Sequence, residues 1–236
     1  MRTASRRCRC RPRERPIRAR GLWSVHLIAR LACDGKRVLS LAGANNIPGA
    51  PATKHARFGG DGMNYTSLPL GEKAPTIVNA IIEVPGGQAN KYEFDKSLLV
   101  FRLDRPLYAS VHYPGDYGFI PSTLGRDGDP LDVLVLLPHP TFSGCLVEVR
   151  PLGVLEMLDQ GVPDEKVLGT AVHSPSHRQI RDHSDLEPHV LREIEHFFAV
   201  YKELEGKHTE VRGWKGASVA YDLIRAAHES FLSPVT

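Results

Sequence analysis

The string Asp127-Gly128-Asp129-Pro130-Leu131-Asp132-Val133 places three carboxylates within six positions. At about 4 Å and an effective dielectric near 20, each pair of such charges repels by about 4 kcal/mol, so close convergence requires a cation. Gly128 and Pro130 break the strand period, which releases Asp127 and Asp129 from a regular pleat. Asp132 opens the run that follows and shares a face with Leu134 and Leu136. A carboxylate on an apolar face at a strand end is expensive unless a metal sits on it. A solvated acidic turn is the ordinary reading of Asp-Gly-Asp. An EF-hand loop fails, because its sixth and twelfth positions need Gly and Glu and hold Asp132 and Pro138 here. Hard oxygen donors without a nearby His or Cys favour Mg²⁺ or Mn²⁺ over Zn²⁺.

Other polar residues sort around this string. Lys91-Tyr92-Glu93 puts opposite charges on one face of a short strand, and Glu83 ends the strand before it. Arg105, Tyr113 and Tyr117 surround a Pro-Gly turn; Asp159 and Asp164 flank Gly161, with Lys166 two residues on. Singly, each is an ordinary surface charge or packed tyrosine. Together, five Asp with Glu83 and Glu93 would gather metals, and Lys91, Arg105 and Lys166 would neutralise a polyanion.

The elements that must position these residues divide by period. TIVNAIIEV, NKYEF, LLVFRLD, LYASVHY, LDVLVLL, CLVEVRPLGVLEML and VLGTAV read as short strands punctuated by Gly, Pro and Asp turns, which suggests a small barrel or sandwich. After about Ser184, Val190, Leu191, Ile194, Phe197, Phe198, Tyr201 and Leu204 follow one helix face. Ser184-Asp185-Leu186-Glu187 has the capping-box pattern, Pro188 suits the first turn and Gly206 the stop. A second helix is expected from about Ala217 to Phe231. Strands first and helices last make an α+β chain with two C-terminal helices packed outside a β-barrel body.

Charge divides the chain differently. The formal +3 of the 236 residues averages 14 Lys/Arg against 3 Asp/Glu in residues 1–62, and 16 against 24 in residues 63–236. The acidic body suits metal ions better than nucleic acid, and no apolar run is long enough to span a bilayer. Residues 1–62 read as a disordered Arg-rich extension, a transit peptide or the product of a mis-assigned start, with Met63 as an alternative first residue. A twin-arginine signal and a zinc site from Cys8, Cys10, His26 and Cys33 are poorly matched by the spacing. Cys145 stands alone in the body, so no disulfide forms within residues 63–236. The expected location is cytoplasmic, or an organelle if residues 1–62 act as a transit peptide.

Lys91-Tyr92-Glu93, Tyr113-Pro114-Gly115-Asp116-Tyr117-Gly118-Phe119-Ile120-Pro121, Asp127 to Asp132, Pro151-Leu152-Gly153-Val154-Leu155, Asp164-Glu165-Lys166 and His196-Phe197-Phe198 with Tyr201-Lys202 resemble the soluble family I inorganic pyrophosphatases, in order and at the expected spacings. The match covers about residues 63–232. The resemblance implies a five-stranded OB-like barrel, a requirement for several Mg²⁺ ions, with Mn²⁺ or Zn²⁺ as substitutes, and hydrolysis of pyrophosphate to two orthophosphates. It places Asp127, Asp132 and Asp164 on a first metal, Asp132 also on a second, and Asp159 and Asp164 on those arriving with substrate, with Glu83 acting through water. Lys91, Arg105, Tyr117, Tyr201 and Lys202 would contact phosphate, supported by Lys166 and Tyr113, and Lys91 would hold Glu93. Asp129 matches the general base, a role some descriptions give to the position of Asp164. The resemblance further implies a homo-oligomer, a homohexamer if the chain is bacterial-type; the acidic balance of the body and the lack of a long apolar run argue for no nucleic-acid or membrane partner. Asp116, Asn in some relatives, is the one visible substitution near the site.

Overall fold

The computed structural model describes residues 63–233, so every expectation for residues 1–62 lies outside the described residues. Nine strands and two helices follow one another: β1 (Val78–Val84), β2 (Asn90–Asp95), β3 (Val100–Pro106), β4 (Asp116–Phe119), β5 (Asp132–Leu136), β6 (Leu146–Asp159), β7 (Val162–Pro163), β8 (Lys166–Ala171), α1 (Pro188–Val200), β9 (Thr209–Gly216) and α2 (Ala217–Leu232).

Five of these strands close a ring. β1 pairs with β4, β4 with β5, β5 in parallel with β8, β8 with β6, and β6 returns to β1 through Val78 opposite Val149. This is the expected five-stranded barrel, and closure leaves its strands without free edges. β6 spans fourteen residues, and its register shifts between Pro151 and Gly153; its first part closes the ring and its second carries β7 and β9. β2 and β3 form a separate two-stranded hairpin.

Alternation along β5 sends its side chains to two cores. Val133 and Val135 pack with Val78, Ala80, Ile82 and Val167 beneath Ile224 and Ala227 of α2. Leu134 and Leu136, on the face of Asp132, pack with Tyr113, Tyr117, Leu168 and the Ile194, Phe197 and Phe198 stripe of α1. One period of two thus separates a wholly apolar core from the core that borders the carboxylates.

Three expectations need correction. LYASVHY forms no strand: Leu107 and Tyr113 instead donate backbone bonds to Ala89 and Gln88, and pairing starts later, at Asp116. β4 escapes pattern reading because it is four residues long and includes Gly118, where a Cβ would strike the Ile81 carbonyl. The capping box sits at Asp182–Asp185, closing the 3₁₀ turn His183–Asp185, and Glu187 begins α1 without a side-chain cap. Finally, α1 ends at Val200, so Leu204 leaves the helix face and is 67% exposed in the 3₁₀ turn Glu203–Glu205. Gly206 follows that turn at φ 73°, the left-handed conformation that glycine reaches without strain. β9 was hidden between the helices because its exposed, charge-rich edge lacks a clean alternation.

Candidate active site

The loop before β5 folds on its own polar groups. Gly125 N–H donates to the Asp129 carbonyl (2.7 Å) and Asp129 N–H to Asp127 Oδ1 (3.0 Å), while Gly128 takes φ 88°. Asp127 and Asp129 therefore stand beside the barrel mouth where Asp132 begins β5. Parallel pairing of β5 with β8 brings Lys166, the first residue of β8, next to that end, and its ammonium bonds both Asp132 and Asp164. The β6–β7 turn presents Asp159, which accepts from Lys202 Nζ at 2.6 Å.

These groups line a single cleft of about 450 Å³. Its walls include Glu83, Lys91, Glu93, Tyr113, Tyr117, Asp127, Asp129, Asp132, Asp159, Asp164, Lys166, Tyr201 and Lys202, all expected from sequence. Arg105 is the exception. Its Nε donates to Glu205 (2.7 Å) and its Nη1 to Asp104, so it sits behind the cleft wall, with a buried Nη2 that has no partner. Lys96, Gln160 and Thr66 line the cleft without having been anticipated. Lys96 reaches Asp129 Oδ1 at 2.7 Å from the hairpin turn; a lone lysine in a turn carries no pattern that would have marked it.

Electrostatics set the character of the cleft. Seven carboxylates and four ammonium groups line it, which leaves negative charge for cations to balance. Burial against the cleft floor pushes the Glu83 carboxyl up to about 8, opposed by the N–H of Phe94 (2.8 Å) and reinforced by the charge of Asp132. Burial also raises Asp127. For Lys166, burial works to lower its pKa, but Asp132 and Asp164 outweigh burial and hold it well above the usual lysine range. Tyr113 and Tyr117 are pushed up by burial and remain neutral phenols. The two rings lie 5.3 Å apart, and Tyr113 packs 4.8 Å from Phe197.

The donor set suits hard divalent ions. It is all oxygen; a buried Asp159 Oδ1 has no partner, and an ammonium already bridges Asp132 and Asp164 where another cation would fit. Among the described residues, however, no three acidic, His or Cys side chains converge as they stand, and lysines engage several of the carboxylates. Asp116 is not part of this set. Its carboxylate is buried and accepts from Gly86 N–H (2.7 Å), Thr141 N–H (2.9 Å) and Thr141 Oγ1 (2.6 Å), fastening two loops.

Known proteins resemble this chain in sequence and fold. Residues 80–232 match the family model described as inorganic pyrophosphatase. The chain is 46% identical to the inorganic pyrophosphatase of Synechocystis over 169 residues, covering 72% of this chain and 99% of that one. It is 49% identical to the Geobacillus stearothermophilus enzyme over 148 residues, 63% and 90% of the two chains. The crystal structure of the Thermus thermophilus inorganic pyrophosphatase aligns with a TM-score of 0.71 at 45% identity, covering 72% of this chain and 100% of that one. The chain therefore belongs to the inorganic pyrophosphatase family, enzymes of the hydrolase class.

Proposed function

We propose that this chain hydrolyses pyrophosphate to two orthophosphates with Mg²⁺, by direct in-line attack of water and without a covalent intermediate. One observation carries the reading: thirteen of the fourteen expected residues line one cleft that joins carboxylates to phosphate-matching cations. The family supports pyrophosphate as substrate.

Asp127, Asp132 and Asp164 would hold the first divalent ion, Asp132 would share a second, Asp159 and Asp164 would serve ions arriving with substrate, and Glu83 would act through water. Bound there, the ions supply Lewis acidity toward water and the phosphoryl oxygens. The protein's residues supply the rest. Asp129, outside this ligand set, accepts a proton from the attacking water at its carboxylate. Lys91, Lys202 and the phenols of Tyr117 and Tyr201 orient the phosphates, with Lys166 and Tyr113 beside them. Arg105 reaches phosphate after leaving Glu205. Glu93, bonded by Lys91 at 2.5 Å, fixes that lysine's direction. Such placed charges stabilise the charge that grows on the departing phosphate.

The test is phosphate release from Mg-pyrophosphate by pure protein; no turnover would falsify the proposal. Asp129→Asn should lower kcat about 10²–10⁴-fold with an unchanged circular dichroism spectrum. We further propose a homohexamer, measured by sedimentation equilibrium. Among the described residues, no helix is long and apolar enough to cross a membrane.

A further inference from the structure

Every ammonium group in the cleft is held by a carboxylate of the same cleft. Lys202 bonds Asp159, Lys91 bonds Glu93, Lys96 bonds Asp129, and Lys166 bonds both Asp132 and Asp164. Lys166 differs from the others in two respects. Its side chain is 4% exposed, against 50% for Lys96, and it alone bridges two aspartates. It also starts β8, paired in the barrel on both sides, so its backbone cannot retreat. Only its side chain can yield.

A divalent ion and an ammonium cannot share the same two carboxylate oxygens, because like charges at that range repel strongly in a partly buried site. We propose that Lys166 is the resident counter-ion of the metal-free cleft, seated between Asp132 and Asp164, and that entry of the first divalent ion displaces its ammonium toward substrate. This rests on the reading of Asp132 and Asp164 as metal ligands. Lys166 is then a positioning residue before it is a phosphate contact. It keeps two carboxylates together without metal, and it becomes free to meet a phosphate oxygen only after the metal has taken its place. The same exchange sets an order of binding. Pyrophosphate entering first meets a lysine already engaged and carboxylates facing it, whereas pyrophosphate entering after the metal meets a freed ammonium.

The wild-type full chain, without pyrophosphate, tests this directly. A buried, doubly bonded ammonium exchanges its protons slowly, so ¹⁵N spectra of the metal-free protein should show a protected lysine ammonium, assigned by its loss in Lys166→Arg. Adding Mg²⁺ alone, with saturation followed by calorimetry, should abolish or shift that signal. In Lys166→Met, Mg²⁺ should bind about tenfold tighter, since the ion no longer competes with a fixed cation. A protected signal absent from the metal-free protein, or one unmoved at saturating Mg²⁺, overturns the displacement even if the variant binds Mg²⁺ more tightly, because that gain would then be long-range charge alone. Unchanged Mg²⁺ affinity in a folded Lys166→Met also overturns it. If wild type binds no Mg²⁺, the metal reading itself falls, and the displacement with it.

Discussion

The two walls of the cleft are built in different ways. The acidic wall rides on the barrel: Asp132 opens β5, Asp164 precedes β8, Asp159 ends β6, and Asp127 and Asp129 sit in a loop tied at both ends. Much of the cationic wall rides on peripheral elements. Lys91 comes from the β2–β3 hairpin, with Arg105 of the same hairpin behind the wall, and Tyr201 and Lys202 come from the end of α1. Strands closed into a ring, and the short loops tied to them, hold the backbones that carry these carboxylates. A hairpin and a helix end leave their side chains room to change partners, as Arg105 does between Glu205 and phosphate in the proposed cycle.

The largest expected effect follows from that contrast. Asp132→Ala should abolish the first Mg²⁺ site and reduce turnover by about 10³-fold or more, since Asp132 is shared by two ions in the proposed set. Calorimetric Mg²⁺ titration and kcat should fall together. If binding survives while kcat falls, the barrel wall positions chemistry rather than metal.

Beneath the cationic wall lies an aromatic cluster. Phe198 is 1% exposed and packs against Tyr201 (5.7 Å) and Tyr117 (6.2 Å). Phe198→Ala should cost about 3–5 kcal/mol of stability by leaving a cavity. Loosening of Tyr201 and Lys202 should then raise KM more than it lowers kcat, measured below the variant's melting temperature. A fall in kcat alone would mean that the two walls are mechanically coupled and that the contrast is too sharp.

The same contrast explains what the sequence could convey. The acidic wall was legible because Asp127, Asp129 and Asp132 are close in sequence and because Asp132 breaks an apolar face, which is a local cost. Lys91 with Glu93 was legible for the same local reason. Arg105 bound to Glu205 was not: a hundred residues separate them, and a single Arg carries no sign of which of its possible partners it takes. The ring closure of β1 on β6 is equally non-local, and it came from family resemblance, not from the alternation of either strand. β9 remained hidden because a partly hydrated edge needs no apolar alternation, and Lys96 because its partner sits across the cleft.

Asp182 offers a control at a place remote from both walls. Its carboxylate accepts from Ala217 N–H (2.8 Å) at the start of α2 and from Ser184 N–H (3.1 Å), and a Cβ at Gly216 would crowd it. Burial works to raise its pKa, but these donated hydrogen bonds outweigh it and hold the group below the ordinary value of 3.8. With the folded-state value depressed, the stabilisation is fully present above pH 3.8 and is lost as pH falls through the folded value. Asp182→Ala should therefore lower stability by about 0.5–2 kcal/mol at neutral pH and by less in acid, with kcat unchanged. Denaturant melts at pH 7 and pH 3 measure both.

The smallest effect is expected where the walls meet. Lys96 and Asp129 form an ion pair between the hairpin turn and the acidic loop, with side chains 50% and 68% exposed. Exposed pairs of this kind contribute about 0.2–1 kcal/mol and weaken with salt. Lys96→Ala should accordingly change stability by no more than that, and the difference from wild type should vanish in high salt. Because Asp129 is already placed by its own loop, through Asp127 Oδ1 and the Gly125 N–H, removing Lys96 should leave kcat within a few-fold of wild type. A loss of kcat approaching that of Asp129→Asn would show instead that the hairpin sets the position of the base, and the acidic wall would no longer be independent of the element opposite it.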